Sequence, residues 1–298
     1  MAEKKEEKGE ELDMAIYRED RVGQLLRKHF PDGDITKLDL TTNEHLDIFG
    51  MSYLRVNTFE IISGWLASPL KTAAETKIVD IGSGYGGTGM HLATKYGFQY
   101  TGVELQEYVS SQATKYVEQF KLTSKMTCET GSILDQDFVA RTTEKHGHFD
   151  SAISILTILH LQAADRLPAF KNIASLLGTS GRYYIECYCV EDGASLAPEH
   201  AKMLEDVVCC PHVPTISQYT ADLKTAGFNK VFVEPIQDTT EEWRSFTTGR
   251  SSDFNNNLEA NKTTFSEANL THLTKFYSTI ATLFQESALR GVRILATK

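Results

Sequence analysis

The 298-residue chain has no apolar run near the roughly 20 residues that a membrane-spanning helix requires, so a helical membrane protein is not expected. Its opening stretch, MAEKKEEKGEELD, is charged throughout and lacks an apolar centre, which argues against a signal peptide or an arginine-rich transit peptide. Residues 1–12 read as a solvated, disordered tail, and the expected location is cytoplasmic. Basic charge is in deficit. Against 40 Asp and Glu stand 30 Lys and Arg, a net charge of −10, and the cations are scattered. A nucleic-acid partner needs a basic footprint, so none is expected. Cysteine is scarce and odd in number: Cys128, Cys187, Cys189, Cys209 and Cys210. Without a secretion signal these read as reduced thiols. Cys187 and Cys189 share one strand face but have no second pair at zinc spacing, so no metal site is expected. Cys209 and Cys210 are adjacent, point in different directions, and read as packing or lid residues. The domain contains no internal repeat and no low-complexity stretch.

What is present is 41% hydrophobic residues and a mean hydropathy of −0.28, as in a soluble globular protein. The length suits one large domain, or one domain with an added cap. The organising stretch is Lys77 to Glu104. Ile78-Val79-Asp80-Ile81 reads as a buried strand, and Gly82, Gly84, Gly86 and Gly87 follow at once. A helix over roughly Thr88 to Tyr96 comes next, with Gly97 at its C-cap, and a strand from Phe98 to Val103 ends on Glu104. Strand, glycine turn, helix, strand and acid is the order of a nucleotide-binding βαβ unit. Glycines let the backbone approach a ligand, and an acid at this distance can accept from a ribose diol. Asp80, just before the glycines, would repel a pyrophosphate. It suits a phosphate-free ligand with a positively charged end, such as S-adenosylmethionine.

Asp80-Ile-Gly82-Ser-Gly84-Tyr-Gly86 resembles the first motif of class I S-adenosylmethionine-dependent methyltransferases, with Glu104 as the acid of the second. The resemblance implies a Rossmann-like α/β fold: a seven-stranded, mostly parallel sheet with the last strand antiparallel, under a helical cap at the carboxyl edge. It implies S-adenosyl-L-methionine as cofactor, held by Tyr53, Asp80, Gly82, Ser83, Gly84, Glu104, Leu105, Ser132, Ile133 and Ser154. Ser132 stands where many relatives carry Asp.

The rest of the chain fits this layout. Asp13 to Phe30 is roughly helical, Pro31-Asp-Gly-Asp is a turn, and Asn43 to Leu66 reads as one or two helices. These belong to a 13–75 cap expected to pack over the cofactor mouth. A 76–237 core follows. It has a helix over Glu107 to Phe120, strands at Lys125–Glu129 and Phe149–Ile155, and a helix from Ala164 to Leu177 with Gly178 near its end. A strand from Gly181 to Val190, helices from Pro198 to Val208 and from Thr215 to Gly227, and a strand at Lys230–Glu234 complete it. A mostly helical insertion, 238–287, precedes a closing strand in 288–298.

Ile48-Phe49-Gly50-x-x-Tyr53, Ile158-Leu159-His160-Leu161, Ile216-Ser217-Gln218-Tyr219 and Ala296-Thr297-Lys298 extend the resemblance to small-amine N-methyltransferases, those of sarcosine and dimethylglycine and of phosphoethanolamine. There the histidine of the ILHL motif belongs to the catalytic machinery, and His160 matches it. An amine acceptor must lose a proton to present a lone pair, and histidine titrates near working pH. Departures bear on the substrate. Cys209-Cys-Pro-His-Val-Pro214 carries no Arg or Lys for a phosphate. Leu156 stands where an acid is expected, and only His45 or Lys37 falls near an expected tyrosine. A small amine without phosphate, such as glycine, sarcosine or dimethylglycine on a betaine route, is the expected acceptor. S-methylation of a methylthio hydroxy acid, C-methylation of a small metabolite, phosphoethanolamine N-methylation and a non-catalytic binding module are the alternatives. Candidate substrate residues are Tyr53, Glu186, Tyr188, His212 and Trp243, since aromatic faces attract quaternary ammonium groups. Arg55, Arg244 and Arg250 are candidate carboxylate ligands or solvated surface residues. A monomer or homodimer is expected.

Overall fold

The computed structural model describes residues 20–51, 53, 55–67 and 70–298. The 1–12 tail and the first part of the expected 13–30 helix lie outside the described residues. Three helices lead in: α1 (Arg21–His29), α2 (Asn43–Phe49) and α3 (Val56–Leu66). The sheet elements then alternate with helices: β1 (Lys77–Ile81), α4 (Gly87–Lys95), β2 (Gln99–Glu104), α5 (Glu107–Gln119), β3 (Met126–Thr130), α6 (Gln136–His146), β4 (Phe149–Ile155), α7 (Ala163–Leu176) and β5 (Leu177–Cys189). After α8 (Pro198–Val208), α9 (Ile216–Thr225) and β6 (Lys230–Val233), a helical insertion of α10 (Ile236–Asn256), α11 (Leu258–Asn261) and α12 (Glu267–Gln285) precedes β7 (Arg290–Thr297).

The sheet order is β3-β2-β1-β4-β5-β7-β6. β1 pairs in parallel with β2 and β4, and β7 runs antiparallel to both β5 and β6. The expected seven strands with an antiparallel last strand are found, and that last strand lies between β5 and β6 rather than at an edge. Residues 78–81 of β1 are all buried, which explains an apolar run without strict alternation. One core packs α1 to α5 against Ile78, Tyr100, Met126, Ile153 and Tyr184. Another packs α6 to α9, α10 and α12 against Val79, Val103, Ile185, Val292 and their neighbours.

Two features differ from the sequence expectation. α6 was not foreseen: only Phe138, Val139 and Thr142 are buried on it, too few for a clear stripe. Its start is nonetheless capped by Asp135, whose Oδ1 accepts from the Asp137 and Phe138 amides at 2.9 and 3.2 Å. α7 ends at Leu176, and β5 begins at Leu177 rather than Gly181, because Leu177 already pairs with Phe149 across a register irregularity in β4. Among the described residues no helix is long and apolar enough to cross a membrane, and no cluster of His, Cys, Asp and Glu could hold a metal ion.

Candidate active site

The carboxyl ends of β1, β2, β4 and β5 share one edge, the usual ligand edge of an open parallel sheet. After β1 the chain turns through Gly82, where φ is +77° and a Cβ would fall 2.2 Å from Thr157 Oγ1. Only glycine fits there. The Gly82 and Ser83 amides donate to the Val103 carbonyl at 2.8 and 3.1 Å. The Gly84 amide donates to Glu104 Oε2 at 3.0 Å, and the Gln106 amide to Oε1 at 3.0 Å. Glu104 thus ties the turn to the end of β2. Burial pushes its carboxyl above the ordinary value despite these donors.

Asp80 is buried beneath the turn. Tyr100 donates to its Oδ2, while its Oδ1 has no partner. Burial, opposed by the Tyr100 bond and reinforced by Glu104, pushes its pKa up to about 7. Ser83 Oγ is a second buried polar atom without a partner. Leu105, beyond Glu104, is 51% exposed. Ile133 is buried, and the Ser132 hydroxyl accepts from the Leu134 amide at 3.1 Å. Ser154 is fully buried with its hydroxyl on Tyr183 Oη at 2.8 Å, so its side chain belongs to the interior.

The N-terminal segment reaches this edge. His45 Nε2 lies 2.8 Å from the Gly87 carbonyl, and Phe49 packs so closely on Gly87 that a Cβ would come within 2.6 Å of it. Beyond α2, Tyr53 hydrogen-bonds Tyr188 hydroxyl to hydroxyl at 2.5 Å. Its ring lies 4.8 Å from Trp243 and 6.4 Å from Phe284, and Tyr188 lies 5.8 Å from Phe284. Four aromatics from four distant segments therefore meet at the carboxyl end of β5. Burial pushes the Tyr53 phenol well above its ordinary value, so it stays neutral. Trp243 Nε1 is buried without a partner.

His160 ends a short 3₁₀ turn, Ile158–His160, just after β4. Its Nδ1 lies 3.0 Å from the Cys209 carbonyl. A carbonyl only accepts, so Nδ1 carries the proton and Nε2 keeps its lone pair. Burial pushes the imidazole below its ordinary pKa, which favours that neutral form. Cys209 itself sits in the left-handed region, φ +54°, as the C-cap of α8. This partner left no trace in the sequence, being a backbone atom 49 residues away.

Two predicted substrate residues stand elsewhere or are engaged. Glu186 is fully buried, and its Oε1 accepts from Arg293 Nε and Tyr184 Oη, each at 2.7 Å. Arg293 continues to both oxygens of Glu242 at 2.8 and 2.9 Å. Glu186 is thus an interior ion-pair residue, set opposite Arg293 by the β5–β7 register. Its Oε2 has no partner. His212 lies 3.4 Å from Arg166, which is paired to Asp222 at 2.7 Å, on the α7–α9 side. Tyr53, Tyr188 and Trp243 are brought together, whereas His212 sits beside Arg166. Arg244 is held by the Phe284 carbonyl and Ser287 Oγ, at 2.9 and 3.2 Å, and by Glu241.

Comparison with known proteins fits this geometry. Residues 78–181 match the family described as a methyltransferase domain. A phosphoethanolamine N-methyltransferase of Plasmodium falciparum is 25% identical over 191 residues, 64% of this chain and 67% of that protein. Phosphoethanolamine N-methyltransferase 1 of Zea mays is 27% identical over 193 residues, 64% of this chain but 35% of that protein. Among solved structures, Haemonchus contortus phosphoethanolamine N-methyltransferase 2, bound to phosphomonomethylethanolamine and S-adenosylhomocysteine, superposes with a TM-score of 0.69 at 19% identity, covering 92% of this chain and 59% of that one. A candidate sarcosine dimethylglycine methyltransferase of Galdieria sulphuraria gives 0.62 at 18% identity, over 82% and 88% of the two chains. This chain thus spans about a third of the maize relative and three-fifths of the Haemonchus chain.

Proposed function

We infer that this chain, which carries a class I S-adenosylmethionine-dependent methyltransferase domain, methylates the nitrogen of a small amine. The residues at the glycine turn fit the cofactor. Asp80 Oδ1 and Ser83 Oγ are buried and lack partners beside the turn, and half-exposed Leu105 offers an apolar surface next to Glu104. Asp80 and Ser83 would meet the cationic amino-acid end, Glu104 the ribose, and Leu105 with Ile133 the adenine. When bound, S-adenosylmethionine supplies the electrophilic methyl group on its sulfonium. Tyr53 and the 132–133 turn would complete its enclosure.

The observation that carries the nitrogen assignment is His160. Its Nδ1–H is held by the Cys209 carbonyl, which leaves Nε2 as a base at the carboxyl end of β4. An amine arrives as an ammonium, and Nε2 takes its proton so that a lone pair faces the methyl group. Tyr53, Tyr188, Trp243 and Phe284 pack on one another as a buried aromatic cluster, and a ring face of Tyr53 turned toward the acceptor would attract its cationic nitrogen. A phosphate-free acceptor, such as a glycine derivative on the way to a betaine, fits better than a phosphobase. The basic group near the 209–214 loop, Arg166, is already matched by Asp222.

The test is transfer of labelled methyl to glycine, sarcosine, dimethylglycine, phosphoethanolamine and a methylthio hydroxy acid, with the native chain and His160→Ala. Transfer to an amine that falls by about 10²–10⁴-fold in the variant is expected. Transfer only to the thioether, or full-rate transfer by His160→Ala, would remove the nitrogen assignment. Preference for phosphoethanolamine would restore the phosphate that the 209–214 loop argues against.

A further inference from the structure

We propose that Arg250 and Arg55 form a subsite for the carboxylate of a small amino-acid moiety, that of the acceptor or that of the methionine end of S-adenosylmethionine. For the acceptor arm this rests on the N-methyltransferase reading above. Arg55, just before α3, donates to both oxygens of Asp47, at 2.6 and 3.2 Å. Arg250 of α10 donates to the same carboxylate through Nη2 alone, at 2.9 Å. Both guanidiniums lie over the Phe246 ring, at 5.4 and 4.5 Å from its centre. Two fixed positive charges therefore share one negative charge, in a chain whose net charge is −10. Arg250 Nε and Nη1 make no hydrogen bond among the described residues, so the guanidinium keeps donors for a second carboxylate.

The placement points inward. Arg250 lines a narrow cavity with Met51, Tyr53, Thr247, Phe276 and Tyr277. Its volume is about 10 Å³, room for about one water, so a larger group enters only if Met51 and Tyr53 part from α10 and α12. Tyr53 is both a wall of this cavity and the partner of Tyr188 and Trp243. A carboxylate at Arg250 would thus sit at the outer side of the aromatic cluster. The other candidate arginine differs: Arg244 is held by Phe284, Ser287 and Glu241 on α10 and α12. Arg293 faces three carboxylates, Glu186, Glu242 and Glu234. Of these four arginines, only Arg250 and Arg55 share a single carboxylate, that of Asp47.

Calorimetric binding to the full chain tests this without turnover. The probes are sarcosine and its carboxylate-free counterpart N-methylethanolamine, each with S-adenosylhomocysteine present, and S-adenosylmethionine against its decarboxylated form. Arg250→Gln is expected to weaken a carboxylate probe about tenfold or more, while Asp47→Asn tightens it several-fold. The carboxylate-free probes should change less than twofold. An effect confined to sarcosine assigns the acceptor, and one confined to S-adenosylmethionine assigns the cofactor. Both substitutions break the same Asp47–Arg250 contact, so a purely structural latch predicts shifts of the same sign. Same-sign shifts, equal shifts in the carboxylate-free probes, or no shift on either carboxylate would overturn the proposal. Absence of methyl transfer to any amine would instead count against the N-methyltransferase reading, leaving the comparison of the two cofactor forms intact.

Discussion

Replacing Arg293 with Met should cost about 3–5 kcal/mol of stability at pH 8, the loss expected when a buried ion pair is stripped of one partner. Glu186 has no exposed surface. Its Oε1 has two donors, Arg293 Nε and Tyr184 Oη, and its Oε2 has none. Methionine retains the apolar stem of arginine but leaves the carboxylate a single neutral donor. The loss must depend on pH, in a direction the structure dictates. Burial already holds the Glu186 carboxyl above its ordinary value, and Arg293 is the main group lowering it. Without the guanidinium the folded-state pKa rises further above the unfolded one. The folded state then holds a proton that the unfolded chain has released, so stability falls as pH rises through that window. The deficit should therefore be small near pH 4.5 and grow toward pH 8. Urea unfolding of both proteins at pH 5 and pH 8 measures it, with an unchanged denaturant slope as the check on compactness. Adding Glu186→Gln should recover part of the pH 8 loss. A deficit below about 1 kcal/mol at pH 8, or one that ignores pH, would refute the assignment of Glu186 as a charged interior residue held by Arg293.

Other expectations follow from the same geometry. The acidic limb of kcat/KM for an amine acceptor should fall below the ordinary histidine value of about 6.5, because burial lowers the His160 pKa; a limb above that value would count against His160 as the base. Asp80→Asn should abolish cofactor binding in calorimetry yet stabilise the ligand-free chain at pH 8 by on the order of a few kcal/mol. The sign follows because Asp80, with its pKa pushed to about 7, costs folded-state stability as pH rises from about 4 to 7; a variant less stable at pH 8 than at pH 5, relative to the native chain, would refute this. Cys209→Gly should leave thermal stability unchanged or slightly higher, whereas Cys209→Val should lower it, since φ at this cap is +54° and a β-branched side chain tolerates that region less well than cysteine. If the valine variant melts like the native chain, the left-handed cap does not govern this turn.

The βαβ unit that carries the candidate cofactor residues was legible from the sequence. Asp80, the glycines and Glu104 lie within 25 consecutive residues, and their roles in the turn depend on local backbone geometry, which glycine and strand patterning encode. Lengths and order of most elements follow for the same reason. α6 escaped notice because only three of its side chains reach the core, so its period is faint. The remaining contacts were set by sheet order and register, which bring distant segments together in ways no local pattern records. Tyr53 and Tyr188 meet across 135 residues, and Arg250 and Asp47 across 203. Glu186 had the sequence of an open pocket acid, but insertion of β7 beside β5 put Arg293 directly opposite it. His160 was identifiable as a histidine after β4. Which of its nitrogens holds the proton was decided only when the cap of α8 placed the Cys209 carbonyl against the ring.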